Sequence, residues 1–523
     1  MSRRATTARA SFREGFAFAG LSSVAGACLS LVSGIVVARL YGIDTIGAFA
    51  LAAAPSGAVW FLSSVREQPA LVRALAPLEP RDPRVTGLWV AVFTFSQALT
   101  TVAAGAAVGL TYVVFNGPID HPELFLPAVV ALGSTVVLSN PAWNLDTVFG
   151  AFRAGRQLFW VRLNQSVSYL VFAILASFVM PTVWGLVAAL AASWATSLLH
   201  RLVRIGRWMR LVVPRAQVGA GFRALPGVLR FALKLAPGFV AYGASAESGT
   251  WILGITASVP AVGAWNRAWM FAQRLQDVNG RVFDMVLPTL VERRRSGDHE
   301  GFTRALTDSM RYLATALLLP AAVGGGAAAG VMGLFGPGFA RADNALPLLL
   351  LVPALVAVAT LQAHALLALD RPGRISVLQV ARLVTTLGAG VALTVWIGIT
   401  GMAVAMVAGC VLQAGLQARV LGGDLVVPIR RLWTPRSVFA LVAAYAAAFA
   451  CARLLDAILP GVAGVLAAGG GGTLCFVAVL VSAGGLLPRD RERLADLRLR
   501  RVRTASRYAE ERRLLEPQGA GQQ

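Results

Sequence analysis

The sequence predicts an all-α, polytopic membrane protein of about fourteen transmembrane helices, in two parallel six-helix bundles plus two extra C-terminal helices. Three observations support this prediction: the apolar composition, a similarity between the two halves of the chain, and the placement of arginine. The 523 residues are 57% hydrophobic and 14% charged, with a mean hydropathy of +0.67. Soluble domains carry roughly 25% charged residues, so a lipid bilayer is the solvent that this composition requires.

Fourteen apolar stretches are long enough to cross a bilayer as helices, which takes roughly 20 residues each. The first stretch has no small-residue cleavage pattern, and we interpret it as a spanning helix and not as a removable signal peptide. The predicted spans are 15–39, 46–65, 88–115, 125–149, 157–179, 181–200, 231–252, 260–284, 312–335, 345–369, 375–396, 400–418, 437–458 and 461–487.

Arginine placement tests this count. Every second gap between spans, together with the two termini, is rich in arginine, and these gaps hold 38 of the 47 basic residues. Positively charged loops remain in the cytoplasm, so both termini are expected there, as an even number of spans requires. The net charge of +22 is therefore mainly a topology signal with some attraction to anionic lipids, and it does not indicate a nucleic-acid partner.

Two helix pairs, one in each half of the chain, resemble each other. In each pair a Gly-Ile turn follows an apolar helix, a Gly-Ala-aromatic step begins the next helix, and a Pro-x-Leu-Val segment with a charged residue closes it. Six spans separate the two copies, so they are predicted to be parallel repeats, an architecture typical of transporters. The matching segments are 40–43, 47–49 and 69–73 in the first copy and 253–255, 263–265 and 288–293 in the second.

This repeat predicts the domain organisation. Two six-helix bundles are joined by a basic cytoplasmic linker and followed by two additional transmembrane helices and a cytoplasmic tail. The predicted boundaries are 1–200 for the N-terminal bundle, 201–230 for the linker, 231–418 for the C-terminal bundle, 437–487 for the added pair and 488–523 for the tail.

The strongest candidate for a binding site is a charged stripe on the eighth span. Arg267, Arg274 and Arg281 are spaced by seven residues, close to two helical turns, so they share one face. Ionisable groups within a span are costly and usually face a watery cavity or a charged partner, and the arginine fork suits phosphate oxygens. Two interpretations remain open: a cationic track for a phosphate-bearing substrate, or a structural stripe self-paired with Asp277 and Asp284.

Other polar residues within spans are weaker candidates. Arg162 and Arg382 are predicted to line the same cavity as the stripe, and Glu247 is predicted to bind a coupling cation or proton, or else to pair with a neighbouring arginine. The four cysteines have no metal-ligand spacing, and no phosphate-binding loop for a nucleotide is present. We therefore expect no catalytic residues, metal, cofactor or enzyme activity.

Several short motifs resemble those of bacterial polysaccharide flippases of the O-antigen type, which belong to the multidrug/oligosaccharidyl-lipid/polysaccharide exporter superfamily. Each motif is weak alone, but their order and spacing over residues 15–487 are fairly specific. The motifs lie at 35–42 with Gly47, at 251–254, at 262–268, at Pro288 with 296–298, at 334–336 with Phe339, and at 398–403.

This resemblance implies a function. The protein would move an undecaprenyl-pyrophosphate-linked oligosaccharide, a cell-surface polysaccharide precursor, across the bacterial plasma (inner) membrane by alternating access between the two bundles. Its partners would be the lipid-linked glycan, membrane lipids and other polysaccharide-assembly proteins. Arg267 and Arg274 would hold the anionic group, with Arg162 and Arg382 assisting.

Three alternatives remain. A cation-coupled multidrug antiporter of the same superfamily would have twelve helices and a less cationic eighth span. A lipid II flippase would carry a Ser-Arg-x-x-Gly-x-x-Arg run, which is missing from 22–39. A membrane-embedded glycan ligase or polymerase would need a large outer loop, and every predicted outer gap is short.

Overall fold

The computed structural model describes residues 12–63, 67–75, 77–152, 154–207, 209, 214–233, 236–424, 435–459 and 461–485. The described residues are almost entirely helical, which confirms the all-α prediction. The predicted tail, 488–523, lies outside them. The helices are α1 (Phe12–Ser63), α2 (Glu67–Leu75), α3 (Pro83–Asn116), α4 (Phe125–Ser134), α5 (Asn140–Ala151), α6 (Gly155–Val179), α7 (Val183–Ile205), α8 (Arg215–Leu233), α9 (Ala236–Thr256), α10 (Val259–Arg295), α11 (His299–Gly326), α12 (Ala328–Gly333), α13 (Leu346–Ala368), α14 (Pro372–Asp424), α15 (Pro435–Ile458) and α16 (Gly461–Ser482).

The helix lengths and compositions agree with about fourteen spans. Among the described residues, nine helical segments are long and apolar enough to cross a membrane, and two of these, Ala25–Ser63 and Gly373–Gly423, have double length. Helices α9, α10 and α11 have 21, 37 and 28 residues but carry more polar side chains. The chain is therefore a multi-pass membrane protein, and each predicted span overlaps a helix.

Glycine creates the turn inside each double-length helix. Gly42 in α1 has φ 76° and Gly398 in α14 has φ 58°, values that side chains other than glycine adopt with strain. Each glycine reverses the chain between two spans without an intervening loop. Gly42-Ile43 therefore marks a hairpin, as the sequence predicts. The matching step Gly254-Ile255 does not, because it lies within α9, which continues to Thr256.

The two repeats meet through a reciprocal contact. A side chain on Gly47 would collide with the carbonyl oxygen of Val259, and one on Gly263 would collide with the carbonyl oxygen of Ile43. Residues 47 and 263 differ by 216 in number, and so do 43 and 259. Each copy therefore presents the same glycine to the same backbone position of the other, as two parallel repeats around one axis would.

A second glycine pair shares this offset. Gly185 in α7 packs on the carbonyl oxygen of Met180, and Gly401 in α14 packs on that of Leu393. Both glycines lie in the first turn or two of the last span of their bundle. The repeat therefore extends beyond the helix pairs in which the sequence showed it, because a glycine close to a preceding backbone carbonyl recurs at the start of the last span of each bundle.

The segment between the bundles is partly helical. It contains the end of α7 and most of α8, and α8 packs on α3 where Gly87 and Gly221 bring the two backbones together. After the second bundle, α15 and α16 pack on each other and on α11. The Asp456 carboxylate of α15 accepts a hydrogen bond from the Gly330 backbone N–H in the first turn of α12, at 2.9 Å.

Candidate functional site

A cavity of about 850 Å³ lies between the two bundles, bordered by α1, α5, α6, α7 and α10. Most of its wall belongs to the N-terminal bundle, and the C-terminal bundle contributes one face of α10. The cavity extends from the middle of the spans toward the end opposite the Gly42 turn. Its volume lies in the range typical of sites for small or drug-sized ligands.

Arg267 provides a buried positive charge in this wall. Its side chain is only 7% exposed, its Nε has no hydrogen-bond acceptor among the described residues, and its Nη1 donates a weak hydrogen bond to the Met270 sulfur, at 3.8 Å. The backbone of α10 is fixed behind it by Trp265 and Trp269, whose stacked rings are 6.3 Å apart. A desolvated guanidinium without a protein counter-ion favours an anionic ligand.

Arg274 lies two helical turns further along the same face of α10. Its Nε donates to the Ser30 hydroxyl of α1 at 2.9 Å, and both residues line the cavity. This hydrogen bond joins the two bundles across the cavity edge. The seven-residue spacing thus places both arginines on one wall, as the sequence predicts.

Arg162 enters the cavity from α6, where it meets a buried ion pair. The Asp146 carboxylate accepts a hydrogen bond from Arg201 Nε at 2.7 Å, and Arg162 Nε lies 3.5 Å from its other oxygen. Arg201 and Asp146 side chains are 2% and 6% exposed, whereas Arg162 is 44% exposed. Asp146 therefore holds Arg201 firmly and Arg162 loosely, which leaves Arg162 available to a ligand.

The cavity has an excess of positive charge. Its lining contains four arginines and one aspartate, a net charge of +3. The rest of the wall mixes apolar side chains such as Val37, Leu158 and Leu190 with polar and aromatic ones, and among the described residues no other Asp, Glu or Lys lines it. Because the surrounding helices have a low dielectric constant, the electrostatic attraction between this positive charge and a bound anion is stronger than it would be in water. The remaining polar and aromatic lining residues include Ser30, Ser33, Phe49, Trp143, Phe159, Gln165, Ser166, Tyr169, Ser193 and Trp194.

The structure places Arg382 outside this cavity, although the sequence suggested that it lines the same space. Arg382 is 2% exposed within the C-terminal bundle, and its guanidinium carbon lies 5.3 Å from the ring centre of Tyr242 in α9. The reason is the direction of its helix face, because the first half of α14 packs against α9 and not against the N-terminal bundle. The Arg382 side chain therefore does not reach the group formed by Arg162, Arg267 and Arg274.

Glu247 also lies apart from the cavity. It projects from α9 toward the second half of α1, where a Cβ on Gly57 would be 3.0 Å from the Glu247 carboxyl carbon. No hydrogen bond or salt bridge to Glu247 is found within the described part of the chain, so the suggested pairing with a neighbouring arginine does not form there. The carboxyl group sits at a contact between the two bundles.

The lower part of the arginine stripe stays a prediction. Asp277, Arg281 and Asp284 belong to α10, but their side chains are outside the described residues. Within the described residues, no group of His, Cys, Asp and Glu forms a metal site.

Two features of the cavity were missed by sequence reasoning. The sequence predicts that Arg201 lies in the linker after the sixth span, yet α7 continues to Ile205 and carries Arg201 into the bundle. Asp146 follows Asn140 and Pro141 in the sequence, a pattern that indicates only an irregular helix, and a π-helical turn does occur nearby, at Thr135–Ser139. The spacing of Asp146 after Trp143, one turn apart, was the signal available for a shared face.

No family model matches the sequence, and no curated protein matches it significantly. Solved structures do match. A lipid II flippase, MurJ, in an inward closed conformation is similar over 90% of this chain and 99% of its own, with a TM-score of 0.65 and 12% identity. An inward-facing multidrug resistance MATE transporter of the MOP superfamily matches over 79% and 94%, with a TM-score of 0.53 and 14% identity.

A Vibrio cholerae MATE transporter is also similar, over 79% of this chain and 97% of its own, with a TM-score of 0.51 and 11% identity. Identities this low establish the fold alone. The chain therefore has the fold shared by the lipid II flippase and MATE transporters.

Proposed function

We propose that this protein is a flippase for an undecaprenyl-pyrophosphate-linked oligosaccharide, a precursor of a cell-surface polysaccharide. The anionic linker would bind in the cavity between the bundles while the polyprenyl chain stays in the bilayer. Alternating access, with the two bundles rocking around the cavity, would move the glycan to the other leaflet. We place the protein in the bacterial plasma membrane with both termini in the cytoplasm, on the basis of the arginine distribution.

The observation that carries this proposal is the buried guanidinium of Arg267, for which the described residues provide no acidic partner, in a cavity of net positive charge. A pyrophosphate would supply the acceptors that the protein does not, and Arg162 and Arg274 are close enough to the same space to assist. Bidentate contacts between arginine and phosphate are among the stronger hydrogen bonds in proteins. A cationic drug would instead be repelled, which weighs against the antiporter alternative.

The lipid II flippase alternative has support from the fold, because the match to MurJ covers nearly the whole of that chain. Lipid II would bring the same kind of lipid-linked anionic group to the same arginines. The absence of the Ser-Arg-x-x-Gly-x-x-Arg run from 22–39 weighs against it. The two substrates differ in the glycan, so a direct comparison of their translocation separates them.

We also propose Glu247 as the residue that couples an ion or proton to the movement. Its carboxyl group lies at the contact of α9 with the second half of α1, a contact that rocking of the bundles would open. Access of water to this carboxyl group would then differ between the two states. A dependence of translocation on an ion or pH gradient that disappears in Glu247→Gln would support this role, and an unchanged dependence would contradict it.

The proposed function is tested in proteoliposomes that hold the purified full-length protein. A fluorescent polyprenyl-pyrophosphate oligosaccharide is added, and its transfer between leaflets is followed with a membrane-impermeant quencher, beside lipid II as the second substrate. We expect transfer of the oligosaccharide lipid well above that in protein-free vesicles. Transfer of lipid II alone would favour the alternative, and efflux of a cationic dye without transfer of either lipid would overturn the proposal.

A further inference from the structure

The cavity contains an aromatic corner that phosphate binding does not use. Trp143 of α5 and Trp194 of α7 both line the cavity, with ring centres 6.2 Å apart and ring planes inclined at 47°. Neither ring is fully buried. Two large, partly exposed aromatic faces in a cavity offer an apolar surface that a ligand can cover.

Both rings are held in place by neighbouring side chains. Trp60, in the second half of α1, lies 6.0 Å from Trp143 and is outside the cavity lining. Arg201 lies 6.0 Å from the ring centre of Trp194, and its guanidinium is fixed by the Asp146 carboxylate. The aromatic corner is therefore pre-organised, which reduces the entropy lost when a ligand binds.

Polar groups lie beside the corner on the same helix faces. Asp146 is one turn after Trp143, and Ser193 and Arg201 lie next to and two turns after Trp194, all within the cavity lining. Pyranose rings carry C–H groups on one face and hydroxyls around the edge. Asp146 and Arg201 are almost fully buried and paired with each other, so the charged group beside the corner that a sugar hydroxyl can reach is Arg162, which is 44% exposed and lies 3.5 Å from Asp146. An aromatic face with this guanidinium nearby matches both parts of such a ring.

We propose that Trp143 and Trp194 bind a sugar ring of the substrate, most directly the sugar next to the pyrophosphate. This inference rests on the proposed function and divides the cavity in two. Arg267 and Arg274, on the C-terminal bundle, hold the anionic linker, and the Trp143–Trp194 corner, on the N-terminal bundle, holds the glycan. The ligand then bridges both bundles, and the lipid-linked sugar is recognised by one of them only.

The test measures the affinity of the full-length protein in nanodiscs for two lipids. One is polyprenyl pyrophosphate alone, and the other is the same lipid bearing one N-acetylhexosamine. The sugar is expected to strengthen wild-type binding, and Trp143→Leu and Trp194→Leu are each expected to reduce that gain by roughly 2- to 10-fold. Affinity for the bare lipid should stay unchanged in both variants, and Trp143→Phe should retain part of the gain. Trp184→Leu, in α7 but outside the cavity lining, is the matched control.

The two proposals fail in different ways. Equal affinity of wild type for both lipids, or a sugar gain that survives both leucine variants, overturns the aromatic sugar site. An equal loss for both lipids in the leucine variants also overturns it, because the rings then act only through the structure of the cavity. No measurable binding of bare polyprenyl pyrophosphate overturns the proposed anionic site instead, and tighter binding of a planar aromatic cation would favour the drug-transport alternative.

Discussion

Arg267 illustrates how a single residue in a membrane bundle indicates function. Burying a charge without a partner is expensive, and Arg267 is 7% exposed with no acidic partner among the described residues. By contrast Arg201, at a similar depth, is neutralised by Asp146 at 2.7 Å. The two arginines separate the roles that sequence alone left open: one is structurally paired, and the other is available to a ligand.

Replacing Arg267 and Arg274 by glutamine tests this distinction. Hydrogen bonds to charged groups contribute about 1.5–3 kcal/mol each, so each single variant should bind polyprenyl pyrophosphate roughly 10- to 100-fold more weakly. Affinity is measured on the purified protein in nanodiscs. The control is Arg341→Gln combined with Arg371→Gln, which removes two exposed charges elsewhere. Equal weakening in the control would mean that net charge, and not these side chains, binds the lipid.

Asp146 carries a different prediction, because it compensates a buried charge. Removing one partner of a buried ion pair costs about 3–5 kcal/mol, so Asp146→Asn should lower the thermal unfolding temperature of the purified protein clearly. Glu300→Gln, which breaks the exposed pair with Arg304, should have little effect, since surface pairs contribute about 0–1 kcal/mol. Equal stability of wild type and Asp146→Asn would contradict the structural role given to this pair.

At the scale of the element, the sequence of α10 predicts which side chains share a helix face but not which helices that face contacts. The period of its arginines gave the correct shared face for Arg267 and Arg274. Periodicity does not say which bundle lies opposite that face, and so Arg382 was placed with them although α14 directs it into the C-terminal bundle. The relative orientation of helices depends on packing between residues far apart in the chain, and a single sequence does not show which of those residues are in contact.

The start of α11 explains one of the sequence motifs in physical terms. Gly297 has φ +74°, and Asp298 caps α11 by accepting a hydrogen bond from the Gly301 backbone N–H at 2.8 Å. That backbone hydrogen bond, with the contact to Arg293 at 2.6 Å, holds the pKa of Asp298 below its usual value. The Ser296–Asp298 motif is therefore a helix-start signal.

A lowered pKa fixes the sign of a pH effect. The ionised cap stabilises the folded protein above the usual carboxyl pKa, roughly 3.9, and this stabilisation is lost as pH falls through the lower pKa of the folded state. We expect Asp298→Ala to lower the unfolding temperature at neutral pH, with a difference from wild type that shrinks below about pH 4. Asp298→Asn, which keeps a capping oxygen, should remove the pH dependence. A difference that is constant with pH would exclude this contribution.

At the scale of the molecule, the reciprocal glycine contact closes the bundles at the end where Gly42 turns the chain. Gly47 and Gly263 bring the two backbones together there, while the cavity extends toward the other end. The arginine distribution predicts that this closed end faces away from the cytoplasm. In that orientation the cavity extends toward the cytoplasmic side.

Gly47→Ala should weaken this closure. The added methyl group collides with Val259 when the bundles are closed, so the population of the state open at this end should increase. Spin labels at Leu40 and Ile255, both exposed near the two turns, report it as longer pulsed-EPR distances after replacement of the four native cysteines. Gly105→Ala, in open space on α3, is the control and should leave the distances unchanged. Identical distances in both variants would mean that the glycine contact does not gate the cavity.

Much of the architecture could be predicted from the sequence. The length of the apolar stretches and the charge of the loops predict the spans and their number, because both depend on local sequence and on the bilayer. The repeated glycine motifs predict the parallel repeat. The candidate site could be predicted only in part. Arg162, Arg267 and Arg274 do converge, but the Asp146–Arg201 pair and the Trp143–Trp194 corner arise from contacts between helices far apart in sequence, and no local pattern encodes which of their faces meet.

The central claim is that the cavity recognises the anionic linker of a lipid-linked glycan. It is tested most directly with two fluorescent lipids that share the polyprenyl chain and the oligosaccharide but differ in the linker, which is pyrophosphate in one and a neutral glycosidic bond in the other. In proteoliposomes, wild type is predicted to transfer the pyrophosphate lipid at least roughly tenfold faster, and Arg267→Gln with Arg274→Gln to abolish that difference. Equal transfer of both lipids by the wild-type protein would contradict the account.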